Sequence, residues 1–280
     1  MPSARYSERV GIEFVKGHGT ENDFVVLPDP DGTLELTESR VQALCDRRRG
    51  LGADGVLRVV PNKVFLGAGD GWFMDYRNAD GSIAEMCGNG VRVFAAYLVD
   101  AGLASPGEFV IGTRAGDRPV VVHPDGSVTV QMGPARITGD SVATLGGVSF
   151  PGVAVDVGNP HLVCVTDVPV ASLDLSVAPG RDQSFFPHGV NVEFVNRLAP
   201  GALAMRVHER GVGETRSCGT GTVAAVAAHL HLSGLATGSA TVAIPGGQVT
   251  VTIGDGESTL TGPAVLVARG ELGDAWWSSH

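Results

Sequence analysis

Lysine is nearly missing from this chain of 280 residues: only Lys16 and Lys63 occur, and neither lies in a glycine-rich loop. A pyridoxal enzyme needs a Schiff-base lysine in its site, so that chemistry is disfavoured and no cofactor is expected. Positive charge is scarce as well. Twenty basic residues face thirty acidic ones, the net charge is −10, and the nearest approach to a basic cluster is "RRR" at 47–49. Nucleic acid is therefore not an expected partner. No apolar run approaches the roughly 20 residues that span a bilayer, so no membrane partner is expected either. The opening stretch "MPSARYSERVGIEF" lacks the apolar core of a secretory leader, which points to a cytoplasmic location. In that compartment the four cysteines, at 45, 87, 164 and 218, stay reduced; none forms a CxxC or a Cys/His cluster of zinc spacing, so no metal is expected.

What is present is glycine, 40 residues of it, with 43% hydrophobic and 18% charged residues. That describes a folded, turn-rich chain with enough length for two domains, each burying its own core. Two stretches stand out. In "EMCGNGVRVF" (85–94) a cysteine precedes a glycine turn and a helix-like run, and "RSCGTGTVAAVAAHL" (216–230) repeats the arrangement 131 positions later. The same offset relates Met74 to Met205, Asn78 to Glu209, Gly116 to Gly247, and "VVV" (120–122) to "VTI" (251–253). Asp-Gly turns between β-branched runs, in "HPDGSVTV" and "GDGESTLT", fall within a residue of that register and signal hairpins. Each half reads strand, cysteine loop, helix, hairpin, which implies an internal duplication. The expected fold is α+β: two pseudo-symmetric domains, 1–133 and 134–280, each a twisted, mainly antiparallel sheet around a central helix. "AVLVARGEL" is left over at the end, and a return to the first half would give it a partner.

The two helices differ. Val91, Phe94, Ala95 and Leu98 recur at helical spacing, with Gly102 placed to cap the C-terminus, whereas "TVAAVAAHLHLSG" is apolar nearly all round, as a buried helix is. Glycine after each cysteine leaves the backbone N–H groups free at a helix start. The positive end of the helix dipole should then lower each thiol's pKa and offer an anion site for a substrate carboxylate. If the halves face each other, both thiols meet in one cleft. Inverting a stereocentre requires taking a proton from one face of a carbon and delivering another to the opposite face, which two opposed thiols can do. Other readings remain. Paired thiols could form a regulatory disulfide, or close over an amino-acid ligand without chemistry in a redox-switched binding protein. A Cys-His hydrolase leaves the second cysteine unexplained, and neither loop matches GxxxxGK[ST] or GxGxxG. Cys45 and Cys164 read as small buried hydrophobes. Glu85 and Arg216 are either thiol-tuning groups or surface charges.

Six segments resemble the diaminopimelate epimerase family: "KGHGTENDFVVLPD" (16–29), "GADGVL" (52–57), "YRNADGSIAEMCGNGVR" (76–92), "VGNPHLV" (157–163), "GVNVEFV" (189–195) and "RVHERGVGETRSCGTGT" (206–222). The resemblance runs from about residue 12 to the tail and leaves out residues 1–11. It implies a cofactor-independent enzyme that interconverts LL- and meso-diaminopimelate on the route to lysine and peptidoglycan, with Cys87 and Cys218 as the two bases. It further implies that Gly88, Asn89, Gly219 and Thr220 hold the carboxylate at the reacting carbon, and that Asn22, Asn78, Asn159, Asn191, Glu209 and Arg210 read the distal amino-acid head. Asn78 in "RNADG" has the alternative role of a turn cap, and His161 either lines the site or bonds backbone at a strand start. The proline racemase group resembles "MCGHG" and "DRSPCGTGT" where this chain has "MCGNG" and "ETRSCGTGT"; the Glu209-Arg210 pair favours a substrate with a second amino-acid head. An epimerase acting on another amino acid is the alternative. Pairing with a second copy of the chain is left open.

Overall fold

A computed structural model of the chain describes residues 11–280; the leader expectation and the start of the first domain fall on residues 1–10, outside the described residues. The first half contains β1 (Ile12–Gly19), β2 (Asn22–Pro28), α1 (Glu38–Cys45), β3 (Gly55–Pro61), α2 (Asn62–Phe65) and β4 (Trp72–Asn78). It continues with α3 (Gly88–Asp100), β5 (Gly107–Gly112), β6 (Arg118–Val122) and β7 (Val128–Gln131). The second half opens with β8 (Arg136–Leu145), β9 (Val148–Asp156), β10 (Pro160–Val165), β11 (Gly180–Arg181), β12 (Asn191–Ala199) and β13 (Ala202–Glu209). Then come β14 (Gly213–Thr215), α4 (Gly219–Leu232), β15 (Gly238–Ile244), β16 (Gly247–Ile253) and β17 (Ser258–Gly262). The chain ends with β18 (Val265–Leu272) and the short α5 (Asp274–Ser278).

Strand pairing reproduces the offset seen in the sequence. β4 runs parallel to β5 with Trp72 opposite Ile111, and β13 runs parallel to β15 with Leu203 opposite Val242, each residue displaced by 131. Each half also holds a second parallel pair, β2–β3 in one and β10–β12 in the other, which does not keep the 131-residue displacement, and the remaining ladders are antiparallel. Both hairpins turn at Asp-Gly, with Gly126 and Gly256 at φ of 83° and 77°, the left-handed region that glycine enters without penalty. β18 returns to the first half and pairs antiparallel with β1. The halves are joined where β7 meets β17, antiparallel, Val130 opposite Leu260.

Helix burial follows from composition. α4 has Val223, Ala224, Ala225, Val226 and Ala228 all fully buried, since small side chains on every face let sheet strands close around it. α3 is buried along Val91, Phe94, Ala95 and Leu98 and ends at Gly102 with φ of 69°, a left-handed C-terminal cap. One apolar core holds residues of both helices and both halves, and smaller clusters lie beneath α1 and between β9, β10 and β12. Leu260 sits fully buried in this shared core at the seam. Leu260→Ala is expected to cost about 2–5 kcal/mol in urea unfolding. A loss below about 1 kcal/mol would mean that the seam is not a packed part of the core.

Candidate active site

α3 and α4 begin against each other. A Cβ added at Gly219 would touch the Cα of Gly88 at 3.7 Å, an ordinary contact distance, so the two helix starts are near neighbours, and one added at Gly88 would press on the Met132 side chain at 2.9 Å. The residue capping each helix is the cysteine: Cys87 (φ −140°, ψ 121°) and Cys218 (φ −129°, ψ 111°) share the same extended conformation. Both line one cleft of about 1010 Å³ between the halves. The Gly221 N–H donates to the Cys218 sulfur at 3.4 Å, and the Thr220 hydroxyl lies 3.6 Å from it. Cys87 lies 3.6 Å from the Asn22 carboxamide oxygen.

Asn22, Asn78, Gly88, Asn89, Asn159, Glu209, Gly219 and Thr220 line the same cleft. Asn191 and Arg210 do not. Asn191 is buried and its side-chain oxygen accepts the Arg210 backbone N–H at 2.8 Å, while the Arg210 guanidinium turns to the His188 carbonyl at 3.2 Å. Asn78 donates to the Ser82 hydroxyl at 3.0 Å, so within its turn it also serves the local role that competes with ligand contact. His161 follows neither expectation: it is fully buried, and its ring bonds the side chains of Glu193 (2.6 Å) and Asn159 (3.0 Å) instead of backbone. Glu85 is exposed at the cleft rim, and Arg216 is an exposed partner of Glu21. Cys45 and Cys164 are buried hydrophobes, and burial pushes both thiols up to about 12.

A buried polar web behind the cleft was not legible in the sequence. The Asn89 carboxamide donates to Asn22 (3.1 Å) and to the Ser217 hydroxyl (3.0 Å), and the Ser217 and Thr20 hydroxyls meet at 2.6 Å. Thr20 and Glu21 form the β1–β2 turn, both left-handed (φ 51° and 62°), a conformation costly for residues with a Cβ. The turn is locked because Thr20 is 2% exposed and packs beneath Gly246 of the other half, where a Cβ would collide with the Thr20 carbonyl.

The expected fall in thiol pKa does not hold. Burial pushes the Cys87 thiol up, opposed by the amide groups of Gly90 and Asn89; Glu209 also raises it, and Arg92 lowers it. Burial lifts Cys218 well above the ordinary thiol value, and Glu209 and Glu193 add to the rise against Thr220 and the Gly221 amide. The helix-start effect is present at both sulfurs but weaker than the loss of water.

Solved structures share the fold. A PhzF-family phenazine biosynthesis protein from Bacillus anthracis superposes with a TM-score of 0.71 at 17% identity, covering 93% of this chain and 98% of that one. A hydroxyproline epimerase from Agrobacterium vitis does so at 0.65 and 18%, covering 95% and 94%. The sequence narrows this further: the diaminopimelate epimerase family model matches residues 14–138 and 153–267, one segment in each half. Diaminopimelate epimerases of Rhodococcus jostii (strain RHA1) and Mycolicibacterium smegmatis are 60% and 59% identical to it, over 95% and 94% of this chain and 99% and 98% of theirs. The chain belongs to the diaminopimelate epimerase family and is an isomerase.

Because Cys87 and Cys218 line the cleft and Cys45 and Cys164 do not, a thiol reagent at pH 8 is expected to modify at most Cys87 and Cys218 in the native protein and all four cysteines after unfolding. Peptide mapping checks this, and rapid native modification of Cys45 or Cys164 would contradict it.

Proposed function

We propose that this chain interconverts LL- and meso-diaminopimelate, with Cys87 and Cys218 as opposed acid and base. The observation that carries the reading is that the two cysteines cap two abutting helices and open into a single cleft. In one direction a thiolate takes the α-proton: the C–H bond breaks, an S–H bond forms, and the electron pair moves into the carboxylate. The opposite thiol then gives its proton to the other face of the carbon. The pair finishes with its protonation exchanged, ready for the reverse direction.

The carbanionic intermediate needs donors fixed at its carboxylate, and the amides of Gly88, Asn89, Gly219 and Thr220, at the starts of α3 and α4, supply them from both sides. Burial that raises the thiols also strengthens these interactions by excluding water. In this reading Asn22, Asn78, Asn159, Glu209 and Arg210 recognise the distal head, with Asn191 acting through the Arg210 backbone that it holds: Glu209 pairs the ammonium and Arg210 the carboxylate, which requires the Arg210 side chain to leave His188. The reaction is the one implied for lysine and peptidoglycan supply, in the cytoplasm, and the two domains divide near residue 133.

Alanine at Cys87 and, separately, at Cys218 is expected to lower epimerisation at least about 10³-fold, followed by solvent deuterium entering the α-carbon of LL-diaminopimelate. Full activity in either variant would eliminate the two-base scheme. Exchange with proline but none with diaminopimelate would assign a different substrate.

A further inference from the structure

The two helix starts are alike in backbone and differ in the buried charge behind them. Arg92, in the second turn of α3, is the one fully buried arginine among the described residues. It forms no ion pair there. Its Nη2 donates to the Thr20 hydroxyl (3.0 Å) and the Asn89 carboxamide oxygen (2.8 Å), while Nε and Nη1 have no hydrogen-bond partner among the described residues. Glycines make room for it: a Cβ at Gly19 would lie 2.9 Å from Nη2, and one at Gly262 would collide with Nη1. At the matching position of α4, 131 residues on, stands Val223.

The strands beneath the helices show the inverse pattern. Behind the third glycine-loop position, Gly90 faces the Leu57 side chain, whereas the equivalent Gly221 faces the Glu193 carboxylate, which shares a proton-binding site with His161. A cation with no acid thus sits behind one helix start, and a carboxyl group behind the other.

We propose that Arg92 is a positioning residue that holds Asn89 across the two helix starts and keeps a permanent cation behind Cys87, so that of the two sulfurs Cys87 is the first to release its proton. This rests on the two-base reading above. Leaving an arginine buried without an acid is costly, and a site that needs a nearby cation gives a reason to keep one. Burial lowers Arg92 to about 10, so it remains charged at neutral pH. The titratable groups facing the two sulfurs agree in direction: Cys87 has Tyr76, Glu209 and Arg92 around it, and Cys218 has Glu209, Glu193 and, behind Glu193, His161. Among these groups the one arginine stands by Cys87, while Arg47, Arg118, Arg136 and Arg216 stand along the open cleft that both sulfurs share.

The test is the pH midpoint, not the rate, of alkylation at each cysteine, followed by peptide mass spectrometry. In the unmodified protein Cys87 should titrate at least about one pH unit below Cys218, equivalent to a tenfold difference in thiolate at a given pH. Arg92→Met should raise the Cys87 midpoint by about one unit while Arg92→Lys, which keeps the charge, leaves it within a few tenths. A lower midpoint at Cys218 in the unmodified protein, an unchanged Cys87 midpoint in folded Arg92→Met, or an Arg92→Lys shift as large as that of Arg92→Met would each overturn the proposal. Should Arg92→Met not fold, the order of the two midpoints and the Lys variant still decide. Deuterium exchange into diaminopimelate is measured on the same protein: exchange together with a Cys218-first titration removes this inference alone, whereas absence of exchange removes the two-base reading.

Discussion

The close approach of two helix N-termini is the constraint on which the rest of the molecule depends. A Cβ at Gly219 would just reach van der Waals contact with Gly88, so the two helix starts are near neighbours and their capping residues open on a common space. At Gly88 an added Cβ would press on Met132, which lines the wall of the same cleft. The web from Asn89 to Asn22, Ser217 and Thr20 crosses the same junction, so the left-handed turn at Thr20–Glu21 is strained where it can register one half on the other. The β7–β17 pairing carries that registration into the sheets.

Duplication supplies two thiols but also makes them alike, and an acid–base pair has to differ in protonation. Burial alone would hold both sulfurs protonated, since it raises each. The departure from symmetry lies in the polar groups underneath: Arg92 against Val223, Leu57 against Glu193. Similar backbones with unlike buried charges give two helix starts of one shape and unequal affinity for a proton.

Much of this was readable from the chain. Because a repeat preserves register, the offset between the cysteines reappears in the parallel pairs β4–β5 and β13–β15, and Asp-Gly between β-branched runs located both hairpins. The alanine-rich run after Cys218 announced a buried helix for the same reason that its small side chains permit one. What was not legible depends on distance between segments remote in sequence. The local motif shows a helix start near each thiol but not how much water has been removed, so the direction of the pKa change was misread. Arg92 lies between valines in "GVRVF" and reads as the polar face of an ordinary helix; only the glycines at 19 and 262, far away in the chain, reveal that it is enclosed. His161 likewise finds its partner in Glu193, 32 residues on, and the outward turn of Arg210 depends on a carbonyl in a separate loop.

The central claim is that one sulfur faces each side of a single carbon. It is tested most directly by early-time conversion of LL-diaminopimelate in deuterated water, with the isotope content of product and recovered substrate measured separately. Opposed bases predict deuterium in the product and none in the substrate that returns. Deuterium in both from the outset would mean that one group serves both faces, and would contradict the account.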